Sequence, residues 1–168
     1  MIEAHPSRPQ LHLIVTGLPS PQGSKRGFPV HRKDGTTGVA LVESAGDRVK
    51  TWRQDVRTAA ERALNEDPRW APHPSDALAV EIRFALARPR SHYGTGRNAG
   101  TLKATAPSYP TTKPDLDKLE RAVLDALTSA GVYPDDSQVA VLHGHKRYAD
   151  DGRPGAAIAI AYLEDAPK

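Results

Sequence analysis

Four aspartates fall in two pairs within one short segment, "KPDLDKLERAVLDALTSAGVYPDDSQV" (113–139): Asp115 with Asp117, and Asp135 with Asp136. Carboxylates placed this closely repel one another, and two arrangements tolerate them. They cap and solvate helix ends, or they converge on a hard divalent cation that takes oxygen ligands. Each acid taken alone fits the first arrangement. Asp115 stands where an N-cap belongs, and Asp117 falls in the first helical turn, where the dipole favours negative charge. Asp135 and Asp136 follow Pro134 as ordinary turn residues. Asp117, Arg121 and Asp125 are spaced four apart, which predicts an ion-pair ladder on the helix surface. Taken together the acids also fit a metal. An N-cap and a first-turn residue can aim carboxylates into the space beyond the helix N-terminus. Asp136 reaches that space only if the chain returns along the helix, which is about 15 residues or about 22 Å long. On residue types and spacing alone the two readings are about even.

The elements that must position these acids are legible as patterns. "LHLIVTG" (11–17) alternates as a strand, and "GVALVES" (38–44) predicts a short second one. In "DRVKTWRQDVRTAAERALNED" (47–67) Val49, Trp52, Val56, Ala59, Ala60 and Ala63 recur at helical spacing. "ALAVEIRFALARP" (77–89) alternates as a strand. The second helix starts at Pro114 and Asp115, buries Leu116, Leu119, Val123 and Leu127, and stops at Gly131. "SQVAVLHGHKRYA" and "GAAIAIAYLE" predict two strands joined by the turn "DDGRPG". The expected fold is therefore α+β: one domain over residues 1–168, a mixed sheet of about four strands and two principal helices. Between strand and second helix, residues 88–114 form a long loop rich in Gly, Pro, Ser and Thr, of the kind that is functional or disordered. Its "GTGRNAG" lacks dinucleotide-fingerprint spacing and no helix follows directly, so that motif is rejected.

Composition narrows the chemistry. The chain has 168 residues and no cysteine, which excludes disulfides, thiolate zinc sites and cysteine nucleophiles. The first apolar run is too short for a signal peptide or a membrane span, so a cytoplasmic protein without membrane contact is expected. The formal charge of +3 is modest, but basic residues concentrate in 48–62 and 83–113 while acids gather at the two pairs and the C-terminus. A basic surface around an acidic centre suits a polyanion approaching a metal; an ordinary solvated surface is the plainer alternative.

The 113–139 segment resembles the core motif of RusA-type Holliday junction resolvases, crossover junction endodeoxyribonucleases. Their pattern is Asp-x-Asp-Asn-x-x-Lys, then Asp-Ala-Leu, then Asp-Asp-x-Gln-Val. "GLPSPQGSKRGF" (17–28) resembles the N-terminal segments of phage and prophage members, which implies a bacterial or phage-infected cell. The resemblance implies Mg²⁺ (with Mn²⁺ as a substitute), held by Asp115, Asp117 and Asp136 with Asp135 beside them. It also implies catalysis by those three aspartates with the cation at Arg121, and a homodimer that makes symmetric cuts in a four-way junction. Two positions depart: the family's Asn is Lys118 here, and its Lys is Arg121. Arginine keeps the charge for a phosphate contact but cannot carry a proton.

A negative cluster must be surrounded by cations to approach DNA. Lys113, Lys118 and Arg121 adjoin the motif, and the loop adds Arg88, Arg90, Arg97 and Lys103, interleaved with Tyr93 and Tyr109. These predict phosphate contact with stacking on unpaired bases. Lys25 and Arg26 form a second basic patch. His143 and His145 alternate onto one strand face but lack the further ligands a zinc site takes. Trp52 and Trp70 read as core or interface residues. The rivals are a nuclease for other branched DNA, such as flaps and forks, and a catalytically weak junction-binding protein.

Overall fold

The structure, a computed structural model, describes residues 5, 7–23, 25–31, 35–43, 46–149 and 151–164. Strand β1 (Gln10–Thr16) buries Leu11, Leu13 and Val15 and exposes the residues between them, the alternation expected of a sheet covered on one side. Strands β2 (Lys25–His31) and β3 (Thr37–Glu43) pair only with each other, as an antiparallel ribbon. Helix α1 (Gly46–Glu66) buries Val49, Trp52, Val56, Ala59, Ala60 and Ala63, the stripe that its periodicity predicts. Strand β4 (Leu78–Leu86), helix α2 (Leu116–Ser129), strand β5 (Val139–Tyr148) and strand β6 (Gly155–Tyr162) complete the order.

The main sheet runs β1-β6-β4-β5. Both β6 pairings are antiparallel, and β4 pairs with β5 in parallel. The architecture is α+β in a single domain, a mixed four-stranded sheet with two helices, as expected. The turn "DDGRPG" does not close a hairpin, however. Strand β4 lies between β5 and β6, because α2 serves as the crossover that a parallel β4–β5 pair requires. Both helices lie on one face of the sheet. There Leu119, Ala122, Val123, Ala126 and Leu127 of α2 meet Val80, Ile82, Phe84, Ile158 and Ile160. Fully burying a side chain of this kind is worth about 1.5–3 kcal/mol, so this seam fixes α2 on the sheet. Among the described residues no helix is long and apolar enough to cross a membrane.

Two local devices set the ends of α2. Asp115 is the extended N-cap, at φ −69° and ψ 138°. Beyond Ser129 the chain passes through Ala130 to Gly131 at φ +76°, the left-handed position at which glycine ends a helix without strain. Trp70 is buried as expected. It lies 4.6 Å from the Tyr162 ring, and its Nε1 donates to the Val132 carbonyl at 2.8 Å. Arg8 makes two bonds to Asp76, at 2.8 and 3.0 Å, with its guanidinium 3.3 Å above the Tyr162 ring.

Candidate active site

The chain enters α2 through the cis Lys113–Pro114 bond. The Asp115 carboxylate does not cap the helix; it takes Lys118 Nζ at 3.1 Å. This lysine, with Lys113 and Lys146 farther off, holds the Asp115 carboxyl below the usual carboxylate range. Lys146 comes from β5. Its Nζ donates to the Thr112 and Pro114 carbonyls, at 2.8 and 2.7 Å, and so fastens the start of α2 to the edge strand. Gln22 adds a further tie, its N–H donating to the Lys118 carbonyl at 2.9 Å. Its side-chain Oε1 is buried without a partner among the described residues.

Asp117 is exposed in the first turn. One turn on, Glu120 is half-buried against β5, and burial first, then the Asp117 charge, pushes its carboxyl above the ordinary range. Any side chain at Gly144 would collide with the Glu120 carboxylate. That glycine is what lets the strand approach the helix here. One residue at this end was under-read in the sequence. Glu120 was not singled out, although the glycine within "HGH" signals a close approach of another group.

Asp135 and Asp136 lie at the opposite end of α2, because the strand that follows them is what returns the chain. Fourteen helical residues at about 1.5 Å each separate the ends by about 21 Å. Asp135 caps the single 3₁₀ turn Asp136–Gln138, accepting from the Ser137 N–H at 2.8 Å; hydrogen bonding from the Ser137 side chain first, and then from this N–H, lowers its pKa. Asp136 is exposed. Gln138 ties this end inward, its Nε2 donating to the His73 and Asp76 carbonyls at 2.8 and 3.1 Å. The expected surface ladder is absent: Asp125 pairs with Arg53 of α1 at 3.4 Å. Arg121 is exposed and forms no ion pair among the described residues.

Residues 88–114 fold as an ordered excursion. Tyr93 bridges Leu102, Gly94 N–H donates to Thr101 O at 2.9 Å, and single 3₁₀ turns form at Arg90–His92 and Gly96–Asn98. Lys103 Nζ is spent on the Ser91 carbonyl at 2.8 Å. Arg88 donates to Pro107 O at 2.9 Å and lies 4.2 Å over the Tyr148 ring. Arg90, Arg97, Lys113 and Tyr109 are exposed. His143 and His145 share a sheet face with Glu81 and Arg83. The side chains of Lys25 and Arg26 lie outside the described residues.

Residues 20–161 match the family model for Endodeoxyribonuclease RusA. The chain belongs to the RusA endodeoxyribonuclease family. The match takes in both acidic pairs, the 88–114 excursion and every strand except β1. It brings with it the class of reaction, endonucleolytic cleavage of DNA. No curated protein matches the chain.

RusA nucleases imply a divalent metal, for which the acids of this chain must supply the oxygen donors. Among the described residues no group of three or more His, Asp or Glu side chains is close enough to hold an ion. The four aspartates therefore do not form one closed cage within a protomer. The pair at the start of α2 does suit Mg²⁺, which binds through one or two carboxylates and substrate phosphate while keeping several waters.

Proposed function

We propose that the protein is a Mg²⁺-dependent endonuclease that resolves four-way DNA junctions as a homodimer, with Mn²⁺ able to replace Mg²⁺. The observation that carries this is the pair Asp115/Asp117 at the start of α2, Asp115 paired with Lys118 and Asp117 exposed, in a chain whose residues 20–161 match the RusA family. Asp115 and Asp117 hold the ion. Asp136, which lies beyond the opposite end of a helix about 21 Å long, joins them only from the partner of a dimer, with Asp135 beside it. A bound Mg²⁺ would supply Lewis-acid activation of the phosphodiester and of an attacking water.

The chain's own residues do the rest. Lys113 and Arg121, exposed on either side of the acids, draw phosphate toward a centre that would otherwise repel it. Lys118 screens Asp115 until ion and phosphate arrive. Lys146 sets the entry of α2, so both carboxylates present at a fixed angle. Arg90 and Arg97 offer phosphate contacts farther out, whereas Lys103 acts by holding the excursion closed.

The decisive experiment is incubation with a synthetic four-way junction and a linear duplex of equal length, in Mg²⁺ and in EDTA. The proposal expects paired symmetric nicks in the junction only, and only with metal. Equal cutting of the duplex leaves a generic nuclease, and cutting of flaps or forks in preference leaves the branched-DNA rival. One observation favours the second rival, a junction-binding protein with weak catalysis: Lys118 occupies the Asp115 carboxylate. Tight junction binding without nicks would establish it. Mixing Asp117→Asn with Asp136→Asn protein tests the shared site, since a mixed dimer rebuilds one complete set and should regain single nicks.

A further inference from the structure

Beside the start of α2 lies a cavity of about 360 Å³, unlike anything else at this end of the molecule in its lining. Leu18, Pro19, Pro21, Pro110 and Pro114 line it, with Tyr148, which is buried and carries the Arg88 guanidinium over its ring. Arg48 and Lys113 are its cations, and no carboxylate lines it. Both cations are exposed, and neither forms an ion pair among the described residues. Leu18 is 60 % exposed, a large apolar side chain presented to solvent at a concave site.

These features select among occupants. The volume is at the small end of ligand pockets, about 300–1,000 Å³, and too small for a helix or strand of another protein. Its one buried polar side chain, Ser20, already donates to the Leu18 carbonyl at 3.1 Å, so nothing is placed to orient a small polar metabolite. What the lining offers is stiff apolar surface for a flat ring, next to two positive charges for an anionic backbone. An unpaired base meets that description, since every base has a π-face and stacking tolerates any sequence. Its location fits too, because Lys113 and Pro114 line the cavity and Asp115 follows directly.

We propose that this cavity receives one unpaired nucleobase extruded beside the phosphate to be cut, with Arg48 and Lys113 holding the phosphates that flank it. The inference rests on the nuclease reading above and adds a subsite to it. Seating a base here anchors the strand within one residue of the Asp115/Asp117 end.

The test uses four-way junctions carrying a single 2-aminopurine, or a single abasic nucleotide, at each of the first positions on either side of the crossover. The full-length protein is used in Ca²⁺ to prevent cutting. At one position the 2-aminopurine fluorescence should change on binding, and the abasic nucleotide there should weaken binding about tenfold, the scale of one lost stack. Ala87→Trp, which fills the cavity from an exposed lining position, should abolish that fluorescence change. It should also bind the intact and abasic junctions equally. Leu18→Ala, which opens the wall and leaves the core untouched, should shrink the abasic penalty and decides the matter if Ala87→Trp does not fold. No position-specific signal in the wild type overturns the proposal. So does an Ala87→Trp protein that keeps the signal, or one that changes only its oligomeric state. If the wild type neither binds nor cuts junctions, the nuclease reading fails by itself. The cavity is then judged on a 2-aminopurine single strand, where an unchanged signal overturns it as well.

Discussion

The two ends of α2 carry the same residue type in the same number and hold it in opposite ways. At the N-terminal end, the Asp115 carboxylate is paired with the Lys118 ammonium from the same helix, and Lys113 and Lys146 act on it only through their charge from farther off. At the far end Asp135 is held by its own backbone, through the Ser137 N–H. The distinction matters chemically. A carboxylate paired with mobile side-chain cations can exchange them for a metal and a phosphate. One that closes a turn has its bonding capacity committed to structure. Of the four acids, Asp135 is thus committed to architecture, while Asp136 beside it is exposed and uncommitted.

The largest test of that division removes one ligand at the N-terminal end. Asp117→Asn or Asp115→Asn should lower single-turnover junction cleavage by about 100-fold or more, given that even outer-shell partners of metal sites cost about 10–100-fold. Junction affinity should hold or rise, because a negative charge near phosphate has gone. Asp135→Asn should leave cleavage within a few-fold of wild type. Next comes the clamp: Lys146→Met frees the entry of α2 and should slow cleavage about tenfold without changing the fold, as checked by circular dichroism.

Gly144→Ala probes the same end through packing. Its methyl group displaces the flexible end of Glu120, and because that side chain can swing aside the cost should be small, about 1 kcal/mol, measured by urea unfolding. The matching test at the far end is Asp76→Asn, which strips the Arg8 pair from the residue whose carbonyl holds Gln138. It should cost about 1–2 kcal/mol and leave cleavage unchanged. The sign of its pH dependence follows from Arg8 holding the Asp76 pKa below its ordinary value. The stabilisation is complete above about pH 4 and disappears as pH falls through the lowered pKa. The gap in Tm between wild type and variant should therefore be full at pH 7 and close in stronger acid. The smallest effect is a gain. Lys118→Asn, which restores the family residue and releases Asp115, should raise cleavage a few-fold at limiting Mg²⁺.

These contrasts were only partly legible in the sequence. Periodicity located α1 and α2 and their buried stripes, because one-sided burial imposes a period that side chains record directly. The β4–β5 pairing was not readable, since a turn-like "DDGRPG" between two strands looks the same whether they pair or a third strand intervenes. The two acidic pairs were visible as a motif, but not their separation, which depends on the direction β5 takes after Asp136. Pairwise spacing also misassigned Asp125 to Arg121. The arginine it meets, Arg53, lies on another helix, and no local rule along one helix reaches it. Glu120 escaped notice because a lone surface-type acid becomes distinctive only once Gly144 is seen beneath it.

The account stands most directly on where the metal binds. Calorimetric titration of Ca²⁺, used again to prevent cutting, into the wild type, Asp117→Asn and Asp135→Asn, each in the presence of junction DNA, measures this without relying on cleavage. The account predicts saturable binding to the wild type and to Asp135→Asn, and its loss in Asp117→Asn. Binding that survives in Asp117→Asn and is lost in Asp135→Asn would contradict it.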